Sequence, residues 1–233
     1  MSKLQQVMQA GAAQAALNPP APNLLTTPAH HLRRVGIVGA SATGLSIAMD
    51  LIEADIPVTL FELGRASLDR ATATARAAYA AAVTQGRLAG SARDRRMGLL
   101  ACAVNFHHLK DCDLVIEAVS AEPGSKGELF RRLDQTVKQG AILLTCTSPA
   151  RVEQLAACTR RMGQVLGLHL SRPAHAGQTW TLVPDKASDG QSLATLVALA
   201  QHLGKACVVA GSWSGETEQG GSSRSWQVEH VLE

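Results

Sequence analysis

From Arg33 onward the chain alternates short apolar runs with longer stretches whose apolar positions recur at helical spacing. Val35-Gly36-Ile37-Val38 predicts a buried strand ending in a glycine turn, Ser46 to Ala54 continues as helix, and Pro57 to Phe61 predicts a second strand. Arg65 to Thr84 is rich in Ala and lacks Gly and Pro, a helical composition that Gln85-Gly86 closes. A polar stretch, Ser91 to Met97, leads to a weak strand at Ala101 to Val104. Asp113 to Val119 is the clearest buried strand. Pro123 then opens a helix that ends at Gly140, Ala141 to Thr145 is a strand, and Pro149 to Arg161 a helix. Further strands fall at Gln164 to Leu168, Thr179 to Val183 and Ala206 to Val209. Between the last two lies a helix capped by Ser188 or Asp189 and stopped by Gly204.

This rhythm predicts an α/β fold of Rossmann type, a doubly wound and mostly parallel sheet in a single domain spanning 33–210. Residues 1–32 differ, being rich in Ala and Gln and then in Pro (Asn18-Pro19-Pro20-Ala21-Pro22), with Lys3 their one charge. They read as a disordered or partly helical arm, with a short helix from Leu4 to Leu17 and a flexible linker after it. Residues 211–233 turn to Gly, Ser, Glu and Gln and read as a loose tail.

Composition narrows the function classes. With 46% hydrophobic and 18% charged residues, a soluble globular protein with one sizeable core is expected. A formal net charge of +3 is too mild and too dispersed to point to nucleic acid. No apolar run is long enough to cross a membrane. The five cysteines form no CxxC pair and no secretory signal precedes them, so reduced thiols in the cytoplasm are expected. No His, Cys and Asp group has metal-ligand spacing, and no Gly-x-Ser-x-Gly elbow suggests a hydrolase.

Candidate chemistry sits where such a sheet places it, after the strands. Gly39-Ala40-Ser41-Ala42-Thr43-Gly44 is the dinucleotide fingerprint G-x-G-x-x-G with serine at its middle glycine. The first glycine serves a sharp turn and the third a close helix–strand approach. The middle one leaves room for a pyrophosphate on the helix N-terminus. Ser41 puts a Cβ and a hydroxyl into that room; the hydroxyl can donate to a phosphate oxygen, so binding is expected to be weakened rather than abolished. Glu62, at the end of the second strand, is placed to accept hydrogen bonds from an adenosine ribose and to repel a 2′-phosphate, which favours NAD over NADP.

Further stretches make the chain resemble the N-terminal domain of the 3-hydroxyacyl-CoA dehydrogenase family: Val35 to Ala48, Gln85 to Leu88, Cys112 to Val119, Glu128 to Asp134, Ala141 to Ser148, Gly167-Leu168-His169 and Leu203-Gly204-Lys205. The resemblance implies His169 as the base that takes the substrate hydroxyl proton, with Ser148 touching substrate and cofactor. It implies Lys126 as a cofactor contact, and Ala118 and Val119 as the nicotinamide-side lining. Arg172 stands where the family has an asparagine and is grouped with the cofactor-side residues; it is also free to clamp an anionic substrate. The family's partner glutamate for the histidine is replaced, counting from His169, by Thr181. Such a loss costs roughly 10²–10⁴-fold in rate, or about 3–5 kcal/mol of barrier.

The resemblance implies an NAD-dependent oxidoreductase acting on a 3-hydroxyacyl-CoA in fatty acid metabolism. It also implies a helical domain beyond the last residue, supplied by a partner chain, or dimerisation of the chain itself. A silent NAD(H)-binding module or regulatory subunit, and a related hydroxyacid dehydrogenase using Arg172, are the competing readings.

Overall fold

The computed structural model describes residues 28–119, 123–146, 151–171, 179–210 and 228–232. The expected helix from Leu4 to Leu17, the Pro linker, Ser148 and Arg172 lie outside them.

The elements run β1 (Val35–Val38), α1 (Ala42–Glu53), β2 (Val58–Phe61), α2 (Arg65–Thr84), α3 (Gly90–Gly98), β3 (Leu100–Ala103), β4 (Leu114–Glu117) and α4 (Pro123–Thr136). They continue β5 (Ile142–Thr145), α5 (Val152–Ala156), β6 (Val165–Ser171), β7 (Thr179–Pro184), α6 (Gly190–His202), β8 (Ala206–Ala210) and β9 (Val228–Leu232). Single 3₁₀ turns occupy Phe106–Leu109 and Met162–Gln164.

The nine strands among the described residues join one sheet in the order β3-β2-β1-β4-β5-β6-β7-β8-β9. The six from β3 to β6 are parallel; β7 turns back against β6, β8 runs parallel to β7, and β9 is antiparallel to β8. Strand order therefore reverses between β1 and β4, which leaves a crevice beyond their carboxyl ends.

Alternation along the strands divides the core. Val35 and Ile37 of β1, with Leu114 and Ile116 of β4, pack beneath α1, α2 and α6. Val38, Val115 and Leu143 face the other way, toward Phe130 and Leu133 of α4 and Leu155 of α5. Trp180, fully buried on β7, fills the first layer as a packing residue.

Four segments differ from the sequence reading. The polar stretch at 91–97 is helix α3. It buries no residue, so no apolar period betrays it. Ion pairs hold it to the end of α1 and the turn after it, Arg96 to Glu53 at 3.5 Å and Arg95 to Asp55 at 3.2 Å, and the Arg96 guanidinium lies over the Tyr79 ring. Of the helix expected from 149 to 161, the described residues form α-helix at Val152–Ala156 and leave it from Ala157 onward. Arg161 leaves it to cap the end of α4, donating to the carbonyls of Asp134, Val137 and Lys138 while pairing with the Asp134 carboxylate at 2.8 Å. The loose tail expected over 211–233 contains strand β9. The arm expected over 1–32 is also tied down at its end, where the His30 N–H donates to Thr195 Oγ1 at 2.9 Å and Leu32 packs on the core.

The tightest packing in the first βα unit is at Gly44 of α1, where a Cβ would lie 2.1 Å from the Gly39 carbonyl oxygen. No rotamer change relieves a backbone clash. Gly44→Ala is therefore expected to cost at least the about 1–3 kcal/mol of ordinary overpacking, read as a lowered urea midpoint with unchanged m-value.

Candidate functional site

The turn after β1 is built by backbone geometry. Gly39 has φ +108°, a conformation L side chains rarely adopt, and a Cβ there would meet the Ala118 carbonyl at 2.9 Å. Its N–H donates to Phe61 O at 2.9 Å, seating the turn on β2. Ser41 then caps α1. Its Oγ accepts from the Gly44 N–H at 3.1 Å and donates to Ala118 O at 2.9 Å. The hydroxyl proton expected to meet a phosphate is thus committed within the protein. Thr43 is exposed, and the Ala42 and Thr43 amides carry no protein hydrogen bond among the described residues. Two N–H groups at the positive end of α1 accordingly face the crevice.

Glu62 follows β2 directly. Its carboxylate accepts from the Ala40 N–H at 3.2 Å and from its neighbour Leu63 at 2.9 Å. This half-buried anion stands at the rim of the turn.

Across the crevice, β4 ends in a residue the sequence reading passed over. Glu117 is completely buried. Its Oε2 accepts from Lys126 Nζ at 3.0 Å and Thr145 Oγ1 at 2.7 Å, and its Oε1 from the Val119 N–H at 2.7 Å. Lys126, itself buried on α4, spends its ammonium here. Its place is beneath the strand-end segment Ala118-Val119. The Cys146 N–H donates to the Glu117 carbonyl at 2.8 Å, and burial, reinforced by the Glu117 charge against the opposing pull of Lys126, pushes the Cys146 thiol up to about 12. That thiol is protonated at neutral pH and no nucleophile. A carboxylate in an apolar strand followed by a lysine on the next helix was the signal available in the sequence.

His169 lies on β6, exposed, on the sheet face that Glu117 also occupies. Val38, Glu117, Thr145 and Gly167 share one register level across four strands, and His169 stands two residues beyond it. Directly opposite on β7 is Thr181. Antiparallel partners project to the same face, so the side chain nearest the imidazole from β7 is a hydroxyl where a carboxylate would support an imidazolium.

The pieces fit a dinucleotide: a positive-φ turn free of side chain at Gly39, two unspent amides at a helix N-terminus, and a ribose-height carboxylate. Ser41 narrows that fit without removing it. Among the described residues no group of three His, Cys, Asp or Glu side chains could hold a metal ion, and no helix is long and apolar enough to cross a membrane.

Comparison with known proteins agrees with this geometry. Residues 34–213 match the family described as 3-hydroxyacyl-CoA dehydrogenase, NAD binding domain. A 3-hydroxybutyryl-CoA dehydrogenase of Mycobacterium tuberculosis is 33% identical over 186 residues, covering 79% of this chain and 65% of that protein. The fatty acid oxidation complex subunit alpha of a Psychrobacter species is 26% identical over 225 residues, 90% of this chain and 31% of its own length. The crystal structure of M. tuberculosis FadB2 superposes with a TM-score of 0.72 at 32% identity, covering 78% of this chain and 65% of that one. The chain thus spans less than two thirds of the relatives it matches.

Lys126→Met strands the buried Glu117 charge and is expected to destabilise the fold by about 3–5 kcal/mol in urea unfolding. The double variant Glu117→Gln/Lys126→Met should recover part of that loss. Equal losses in the single and double variants would mean the pair is not a coupled charge.

Proposed function

The chain belongs to the 3-hydroxyacyl-CoA dehydrogenase family through its NAD-binding domain, and from that premise we propose that it oxidises a 3-hydroxyacyl-CoA, or reduces the corresponding 3-ketoacyl-CoA, with His169 as the acid–base residue. The observation that carries this reading is the position of His169, exposed on the carboxyl-terminal half of β6 on the face shared with the Glu117 cluster. Oxidation of a secondary alcohol removes a hydride from carbon and a proton from oxygen. NAD supplies the hydride acceptor when bound. His169 takes the proton at a ring nitrogen, a general-base role that imidazole fills more often than any other side chain.

Glu62 orients the adenosine ribose and the Ala42 and Thr43 amides hold phosphate oxygens. Ala118 and Val119, fixed by Glu117, line the nicotinamide side. Ser148, three positions past the end of β5, assists at the substrate oxygen. Arg172, which follows β6, meets an anionic group of cofactor or substrate. A helical domain completes the acyl-CoA cleft. The five free cysteines support a reducing, cytoplasmic setting.

A second reading is favoured by one observation. Thr181 faces His169 where a carboxylate would hold and support the ring, which fits a module that binds NAD(H) without turnover.

Acetoacetyl-CoA-dependent oxidation of NADH separates the two. The expected result is slow turnover that falls about 10²-fold or more in His169→Ala and rises in Thr181→Glu. NADH binding with no turnover in wild type or Thr181→Glu would contradict the enzymatic reading and leave the silent module.

A further inference from the structure

The crevice between β1 and β4 is where a dinucleotide must cross the sheet, because strand order reverses there. Ser41 already spans it. From the β1 side its Oγ donates to the carbonyl of Ala118, the first residue after β4, at 2.9 Å, and in the same position accepts the Gly44 amide at 3.1 Å. The bond joins segments separated by 77 positions in the chain. It is therefore a tertiary link, in addition to the local cap.

We infer that Ser41 is a latch that closes the pyrophosphate part of the crevice and sets the affinity of the site for the phosphate-bearing half of its ligand; this rests on the NAD reading above. A hydroxyl has one proton. With that proton on Ala118 O, Ser41 turns only lone pairs toward an incoming phosphate oxygen, an acceptor facing an acceptor. Gly44, the third amide at the α1 terminus, is occupied by the same oxygen, which leaves Ala42 and Thr43 for the anion. If the hydroxyl swings to donate to phosphate, Ala118 O gives up its donor, so the new bond is an exchange and adds little. The adenosine end escapes this competition, because Glu62 is held by Ala40 and Leu63 and makes no contact with the latch.

The consequence is a division of affinity along the ligand. Adenosine is indifferent to Ser41, whereas ADP and NADH must work against it. Glycine suits the position: the backbone of Ser41 is extended at φ −70°, ψ 170°, and glycine caps helices nearly as well as serine.

Calorimetric titration of adenosine, ADP and NADH into wild type and Ser41→Gly tests the inference. ADP and NADH are expected to bind Ser41→Gly about tenfold tighter, the ratio that a recovered hydrogen bond to a charged group supplies, with adenosine unchanged. Ser41→Ala, which removes the hydroxyl and keeps the Cβ, should show a smaller gain of the same sign and serves if the glycine variant does not fold. Adenosine and ADP binding with ADP unchanged or weakened in the variants would overturn the latch and leave the nucleotide site standing. No binding of any of the three to any protein would overturn the nucleotide reading, and the latch with it.

Discussion

A carboxylate removed from water within a β-sheet must find its counter-charge and hydrogen bonds inside the fold, and the site depends on how Glu117 does so. Desolvating an ion costs several kcal/mol even after relaxation. Glu117 offsets that with a buried ammonium from α4, a hydroxyl from β5 and the amide of Val119, all within 3.0 Å. Those partners come from three different elements, so satisfying one charge fixes the ends of β4 and β5 and the seat of α4 together. The Val119 amide turns back onto the carboxylate, which holds the Ala118 carbonyl against the glycine turn.

From that carbonyl the arrangement extends to the other half of the crevice. Gly39 can approach Ala118 O because it has no Cβ; Ser41 reaches the same oxygen with its hydroxyl and organises the first turn of α1. Contacts from Lys126 through Glu117 to the Val119 amide, and from the Ala118 carbonyl through Ser41 to the Gly44 amide, thus meet in the backbone of Ala118-Val119 beneath the space a dinucleotide would occupy. Rigid strand ends set its floor, and the glycine turn, with Glu62 at its rim, sets one wall. His169 stands apart on β6, placed by sheet register and with no side-chain partner among the described residues, whereas the binding half of the site is tied together by hydrogen bonds.

What the sequence discloses follows from locality. Strands β1, β2, β4 and β5 are legible as short runs buried at every position, the long helix α2 because it buries one face at helical spacing, and the glycine turn because Gly39 and Gly44 answer constraints within a few residues. Thr181 opposite His169 is legible by counting, since a hairpin with fixed register preserves the spacing. Helix α3 is not, because ion pairs and a stack on Tyr79 hold it in place of apolar burial. Glu117 hides within an apolar run, and its meaning appears only when Lys126 is brought beneath it. The Ser41 bond to Ala118 depends on the pairing of β1 with β4, information that no local stretch contains.

The central claim is that the glycine turn and Glu62 form an NAD site. Equilibrium titration of NADH and NADPH into the purified chain tests it directly. The account predicts saturable binding of NADH at one site per chain and far weaker binding of NADPH, whose 2′-phosphate would meet the Glu62 carboxylate. Equal affinity for both would remove Glu62 from the site, and failure of either to bind would contradict the assignment altogether.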